Sequence, residues 1–107
     1  MLKKKLGIEA IEKNWKHIFI SYYYKIPPTL IIPEGCKRIG VEAFKNCWWL
    51  KKVVIPESVE IIGNHAFYEC ISATIILKKS KRKFKGIGWS AFYYCKSVEY
   101  AEKETRN

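Results

Sequence analysis

The amino-acid sequence predicts an α/β solenoid, a stack of short parallel strands and short helical turns. A nine-residue motif, Ile-Gly-x-x-Ala-Phe-x-x-Cys, occurs three times, beginning at Ile39, Ile62 and Ile87. Its copies start 23 and then 25 residues apart, and a fixed period in this range is typical of solenoids. Stacking such repeats would pair equivalent strands side by side into a parallel sheet. The 107 residues suffice for one domain with a modest core.

Residues 1–28 do not fit the repeat and are predicted to form an N-terminal cap. Apolar residues recur at helical spacing over 2–16. The β-branched and aromatic residues of 17–24 favour a strand, with a continued helix as the alternative. Pro27 and Pro28 then mark a turn. A solenoid needs its open end covered by a segment unlike its repeats, which is the role we expect for 1–28.

The solenoid is predicted to span residues 29–100, with the second repeat as its clearest unit. Residues 50–55 resemble a strand that ends at Pro56, because proline has no N–H for the ladder. Residues 59–62 form a second short extended run, and Gly63 is expected to make a tight bend with positive φ. Residues 64–70 have room for only one or two helical turns.

The third repeat is irregular. Residues 78–85 form a basic insertion, and the preceding strand over 73–77 fits two registers that differ by one residue. Because side chains alternate along a strand, this shift exchanges the inward and outward residues. The spacing from Cys70 favours an inward Ile76. Residues 97–100 are expected to close the C-terminal end, followed by a polar tail over 101–107.

The nine-residue motif, joined to Leu-x-x-Val-x-Ile-Pro, resembles the BspA-type leucine-rich repeat over roughly residues 29–100. The resemblance is specific because five identities recur at fixed offsets in three copies. It implies a leucine-rich-repeat-like parallel-strand solenoid that recognises macromolecules, often on bacterial or protist surfaces and in long arrays. With about three repeats, no visible export signal and a strongly basic composition, this chain departs from that pattern.

The charge balance points to an acidic partner. Twenty Lys and Arg against ten Asp and Glu give a formal charge of +10, which favours an acidic protein surface or nucleic acid. The insertion concentrates six of these charges in eight residues, a cluster that could meet phosphates. It could equally be a solvated loop. The candidate residues are Lys78, Lys79, Lys81, Arg82, Lys83 and Lys85.

A second candidate surface combines the strand face with an aromatic corner. Two adjacent tryptophans follow the first motif, where a turn cannot bury both, and lysines follow them. Exposed Trp beside Lys is the composition of a binding hot spot, and alternation places an apolar stripe on the outer strand face. These aromatics could instead pack against the cap or the second subunit of a homodimer. The candidate residues are Ile31, Trp48, Trp49, Lys51, Lys52 and Val54.

The sequence predicts no catalytic residue, metal site or cofactor. Cys47, Cys70 and Cys95 occupy one repeat position, which predicts a column of core thiols. Cys36 and Phe84 both align with Val59, so all three are expected in the core. The spacing of the cysteines is unlike that of zinc ligands, and no nucleophile or phosphate-loop motif is present.

Three functions remain open. The first is a non-enzymatic binding module that recognises an acidic protein partner through its strand face and Trp/Lys corner. The second is a nucleic-acid or ribonucleoprotein binder, or a small inhibitor of nucleic-acid machinery, led by residues 78–85. The third is a minimal relative of surface adhesins. The absence of a recognisable leader or membrane span favours a cytoplasmic location.

Overall fold

The computed structural model describes residues 26–101, which form a parallel β-solenoid of about three turns. The predicted helix and strand before residue 26, and the tail after residue 101, lie outside the described residues. The elements are strands β1 (Thr29–Ile31), β2 (Arg38–Ile39), β3 (Lys52–Ile55), β4 (Ile61–Ile62), β5 (Thr74–Leu77), β6 (Gly86–Ile87) and β7 (Ser97–Tyr100), with a 3₁₀ helix over Lys81–Lys83 between β5 and β6.

Two parallel sheets form the walls of the solenoid. The first has the order β1-β3-β5-β7 and the second the order β2-β4-β6. Strands that are neighbours in a sheet come from successive repeats, so each coil contributes one strand to each wall. The parallel stack expected from the repeat period is therefore confirmed.

The motif segments form consecutive tight turns, so the predicted helix over 64–70 was wrong. N–H groups at the even-numbered positions from Ala66 to Cys70 donate to the carbonyl three residues earlier, each at 3.2 Å. Those at the odd-numbered positions from His65 to Glu69 donate instead to carbonyls of the third motif, at 2.8–3.0 Å. An α-helix directs every N–H along its own axis. Here every second N–H joins one coil to the next.

This alternation requires left-handed backbone at two positions in each motif. The six residues have φ between 54° and 68°, a backbone region that residues other than glycine seldom adopt. They occupy the same two repeat positions in all three copies, so the conformation belongs to the repeat and not to one site. These residues are Glu42, Asn46, His65, Glu69, Ser90 and Tyr94.

The motif glycine serves close packing, not positive φ. The only glycine with positive φ in the described range is Gly35, so the expected conformation of Gly63 was wrong. A Cβ added to Gly63 would lie 2.5 Å from the backbone nitrogen of Val41 in the preceding coil. A side chain at this position would push neighbouring coils apart, which explains why the motif keeps glycine.

Strand β5 adopts the register that the spacing from Cys70 did not favour. It buries Ile75 and Leu77 and leaves Ile76 half-exposed, so the prediction of an inward Ile76 was wrong. With Ile76 inside, alternation would also turn Lys78 toward the core. Burying an unpaired lysine is unfavourable, whereas the observed register leaves Lys78 exposed.

The core is a set of side-chain columns between the two sheets. Phe67 stacks between Phe44 and Phe92, with ring centroids 5.0 and 5.8 Å apart and interplanar angles of 9° and 18°. Phe44 and Phe67 are fully buried, and Phe92 packs at the edge of the core. Residues predicted to be core from their alignment with Val59 are indeed buried, namely Cys36 and Phe84.

The motif cysteines form a second column, and all four cysteines of the chain remain thiols. Cys70 Sγ donates to the carbonyl oxygen of Phe44 at 3.1 Å, and Cys95 Sγ donates to that of Phe67 at 3.2 Å. Each of these thiols therefore bonds to the preceding coil. The predicted thiol column is confirmed, although Cys95, in the last coil, is only half-buried.

Candidate functional site

The outer face of the first sheet carries an apolar stripe. The pairing register places Ile31 beside Val54, and Val54 beside Ile76. Ile31 is 65% exposed and the other two are half-exposed. Ile31 and Val54 thus face outward as predicted. Ile76 joins them because of the register of β5, and the row ends at Glu99 on β7. We call Ile31, Val54 and Ile76 the strand stripe.

A polar row runs beside the strand stripe on the same face. Thr29, Lys52, Thr74 and Ser97 lie next to one another across the four strands. Ser97 Oγ donates to Thr74 Oγ1 at 3.1 Å, whereas Lys52 is exposed. The face therefore offers aliphatic side chains flanked by a hydroxyl row and a cation.

The two tryptophans of the predicted corner have different roles. Trp49 is half-buried, and its Nε1–H donates to the carbonyl oxygen of Ile26 at 2.6 Å. Trp48 is 64% exposed and packs edge-on against Trp49, with ring centroids 5.3 Å apart. Lys51 and Lys52 are also exposed. Trp49 thus stabilises the fold, whereas Trp48 is the tryptophan that the corner exposes to solvent.

The basic insertion divides into structural and exposed cations. Lys79 Nζ donates to the carbonyl oxygen of Val59 at 2.6 Å and lies 4.5 Å from the centre of the Phe84 ring. Burial lowers the pKa of Lys79. One coil earlier, Ser58 Oγ donates to the equivalent carbonyl, that of Cys36, at 2.9 Å. In the third repeat, Lys79 therefore makes the hydrogen bond to the preceding coil that Ser58 makes in the second repeat.

Lys85 is also paired, since its Nζ lies 3.3 Å from Glu60 Oε1. A cleft of about 710 Å³ beside the insertion contains Glu34 and Glu57 as well as lysines, so its charge is mixed. Ser80 is buried there, and its hydroxyl has no hydrogen-bond partner. The remaining cations of the insertion are exposed and form a compact positive patch: Lys78, Lys81, Arg82 and Lys83.

Sequence reasoning missed an aromatic cluster on the turn edge of the solenoid. His65 contacts Tyr68 and Trp89, with ring centroids 5.0 and 5.5 Å apart. Tyr68 stacks on Tyr93 at 5.9 Å and meets Tyr94 at 6.0 Å. We call these five residues the aromatic ridge. All five occupy variable motif positions. Aligning the three motifs as stacked coils would have predicted that these residues lie close together.

The thiols of Cys36 and Cys70 are poorly suited to act as nucleophiles, whereas a hydrogen bond with Cys70 lowers the pKa of the Cys95 thiol. The neighbouring Cys47 and Cys95 thiols, together with burial, raise the pKa of the Cys70 thiol. Burial likewise raises the pKa of Cys36. Thiols with raised pKa are poor nucleophiles at neutral pH. His65 packs between aromatic rings of the aromatic ridge.

Two further properties concern metals and membranes. Within residues 26–101, His, Cys, Asp and Glu side chains form no group of three that could hold a metal ion. No helix in this part of the chain is both long and apolar enough to cross a lipid bilayer.

These features define a class of protein. A solenoid whose constant motif residues are buried, and whose variable residues are exposed, is a repeat scaffold that presents changeable surfaces for binding. Such scaffolds are typically non-enzymatic.

Comparison with known protein families identifies the family within this class. The family described as BspA type leucine rich repeat region (6 copies) matches residues 18–105. The protein therefore belongs to the BspA-type leucine-rich repeat family, as the motif predicted. The match begins within the segment predicted to be the N-terminal cap. Searches of curated proteins and of solved structures returned no match.

Proposed function

We propose that this protein is a non-enzymatic binding module that recognises an acidic surface of a protein partner. The strand stripe and the Trp48 corner provide the contact surface. The observation that carries the proposal is the outward-facing apolar row of Ile31, Val54 and Ile76, which has the exposed Lys52 on the same face. Exposed contiguous apolar surface rimmed by polar residues is typical of protein interaction sites.

The chemistry of the surface supports a protein partner in particular. Aliphatic side chains on a rigid sheet gain little from stacking with bases, but they bury well against apolar side chains. Trp48 would act as an anchor, because tryptophan is enriched among the residues that dominate binding energy. Lys51 and Lys52 would select an acidic rim and accelerate association.

The test removes the strand stripe without disturbing the strands. Ile31→Thr, Val54→Thr and Ile76→Thr together keep β-branched side chains on the sheet. Proteins retained from an extract of the native organism by the immobilised wild type, but not by this variant, are identified by mass spectrometry. We expect direct binding of such a partner to weaken at least about tenfold, equivalent to 1.4 kcal/mol.

The matched control is Val41→Thr with Ile71→Thr, which changes two exposed aliphatic residues outside the strand stripe. It should retain the partner at wild-type affinity. Equal binding by the stripe variant and the wild type, or loss of binding only in the control, would rule out the strand face as the contact surface.

A second candidate function is nucleic-acid binding through the insertion, favoured by the exposed patch of Lys78, Lys81, Arg82 and Lys83. Phosphate contacts release counterions, so such binding weakens steeply as salt rises. Titration with generic RNA and DNA at two salt concentrations separates the two functions. If neither RNA nor DNA binds even at low salt, nucleic-acid binding is ruled out and protein binding remains as the proposed function.

A further inference from the structure

The aromatic ridge exposes more ring surface than folding requires. Trp89 is 74% exposed, Tyr94 57% and Tyr93 52%, and all three come from the same motif. Large aromatic side chains usually lie mostly buried. Exposed rings that touch one another, instead of being scattered, mark a binding surface. The ridge lies on the turn edge, outside the strand stripe and the basic insertion.

The exposed rings rest on a fixed support. His65 packs edge-on against Trp89, and Tyr68 stacks beneath Tyr93 with an angle of 17° between their planes. The backbone of Trp89 is held twice by the second motif: its N–H donates to Asn64 Oδ1 at 2.8 Å, and its carbonyl accepts from the His65 N–H at 3.0 Å. A surface ordered before binding loses little conformational entropy when a ligand arrives.

The local charge of the ridge differs from that of the whole chain. The twelve variable positions inside the three motifs hold one lysine and two glutamates, although the chain carries +10. The lysine, Lys45, is already engaged, with its Nζ 3.5 Å from Glu42. A phosphate chain needs several cations along its path. The charge here therefore fits an uncharged ligand better than a nucleic acid.

We propose that Trp89, Tyr93 and Tyr94 form a binding surface for a neutral oligosaccharide. The C–H face of a pyranose ring is weakly positive and stacks on the electron-rich face of an aromatic ring. Sugar hydroxyls would meet the polar groups around the rings, which include the Asn64 amide and the Glu69 carboxylate. The three exposed rings lie on one coil, and those of Tyr93 and Tyr94 meet with centroids 4.3 Å apart, so a short glycan would run along that coil.

The experiment titrates the full chain with four neutral probes in a calorimeter: chito-, cello-, laminari- and manno-oligosaccharides. We expect at least one probe to bind. We expect its affinity to stay constant between about 0.1 and 1 M salt, although the Debye length falls from about 10 to 3 Å. Trp89→Ala should weaken binding at least tenfold, and Tyr93→Ala with Tyr94→Ala should do the same.

Val41→Ala is the control, because it removes an exposed apolar side chain of the first motif that is not part of the ridge. It should bind the probe as the wild type does, and the thermal unfolding of every variant shows that it is folded. Failure of all four probes to bind would overturn the proposal. So would equal weakening by Val41→Ala, or tighter, ridge-dependent binding of single-stranded DNA. None of these results bears on the strand stripe.

Discussion

At the scale of single residues, three of the five constant positions of the motif have separate structural roles. The phenylalanines stack along the axis, the cysteine thiols of the second and third motifs donate to carbonyls of the preceding coil, and Gly63 allows close approach of the backbones. These side chains are buried in the first two motifs, and Phe92 and Cys95 of the third are partly buried. The variable positions lie on the same backbone conformation in all three copies.

Phe67→Ala is expected to destabilise the protein by about 3–5 kcal/mol, because the ring is fully buried and its loss leaves a cavity between two stacked neighbours. Chemical denaturation measures the change. The control, Trp48→Ala, removes an exposed ring and should alter stability by less than about 0.5 kcal/mol. A similarly small effect of Phe67→Ala would contradict the repeat register.

At the scale of elements, the basic insertion shows that a charge-rich segment can contain a structural residue. The sequence makes its six cations look equivalent. The structure instead assigns Lys79 to the carbonyl of Val59 and pairs Lys85 with Glu60. The other four cations form the exposed patch on and around the 3₁₀ helix.

Two variants of the insertion test this division. Changing Lys81, Arg82 and Lys83 to Gln should leave stability within about 0.5 kcal/mol of the wild type, because these side chains are exposed. Lys79→Gln should lose about 1 kcal/mol, because the carbonyl of Val59 loses its donor. Denaturation curves compare them. A larger effect from the triple change than from Lys79→Gln would mean that the exposed cations support the fold.

At the scale of the whole molecule, positive charge is abundant but unevenly distributed. The ridge is nearly neutral, the strand face has Lys52 beside aliphatic residues, and the insertion is strongly basic. A compact chain with a formal charge of +10 repels itself, so its stability should depend on ionic strength.

We expect the melting temperature to rise between about 0.01 and 0.15 M salt, as the Debye length shortens from about 30 to 8 Å. The triple Gln variant of the insertion loses three cations, which lowers the formal charge from +10 to +7. It should show a smaller rise, as measured by differential scanning calorimetry. An unchanged or falling melting temperature for the wild type would indicate that charge repulsion is not a significant term in its stability.

Much of the fold could be predicted because the repeat period reports directly on stacking. Side chains aligned by the motif turned out to share an environment, as for Cys36 and Phe84 with Val59. The helix over 64–70 could not be recognised as turns, since the hydrogen bonds that exclude it run to another coil. The outward orientation of Ile76 could have been predicted from the sequence, because the alternative register would bury Lys78.

The candidate surfaces divide in the same way. The exposure of one tryptophan in the pair was predictable, because a short turn cannot bury two adjacent tryptophans. The exposure of the lysines after it was also expected. The aromatic ridge was not, because its rings are separated in sequence and meet only when the second and third coils stack.

The sequence by itself determined the solenoid class, the family and the identity of the core columns, since these follow from a period and from residues that repeat at fixed offsets. Only the tertiary structure decided how the motif backbone folds, which face β5 presents and which exposed side chains become neighbours. The physical reason is that these features depend on hydrogen bonds and contacts between coils. Such contacts join residues more than twenty positions apart, and no local pattern records them.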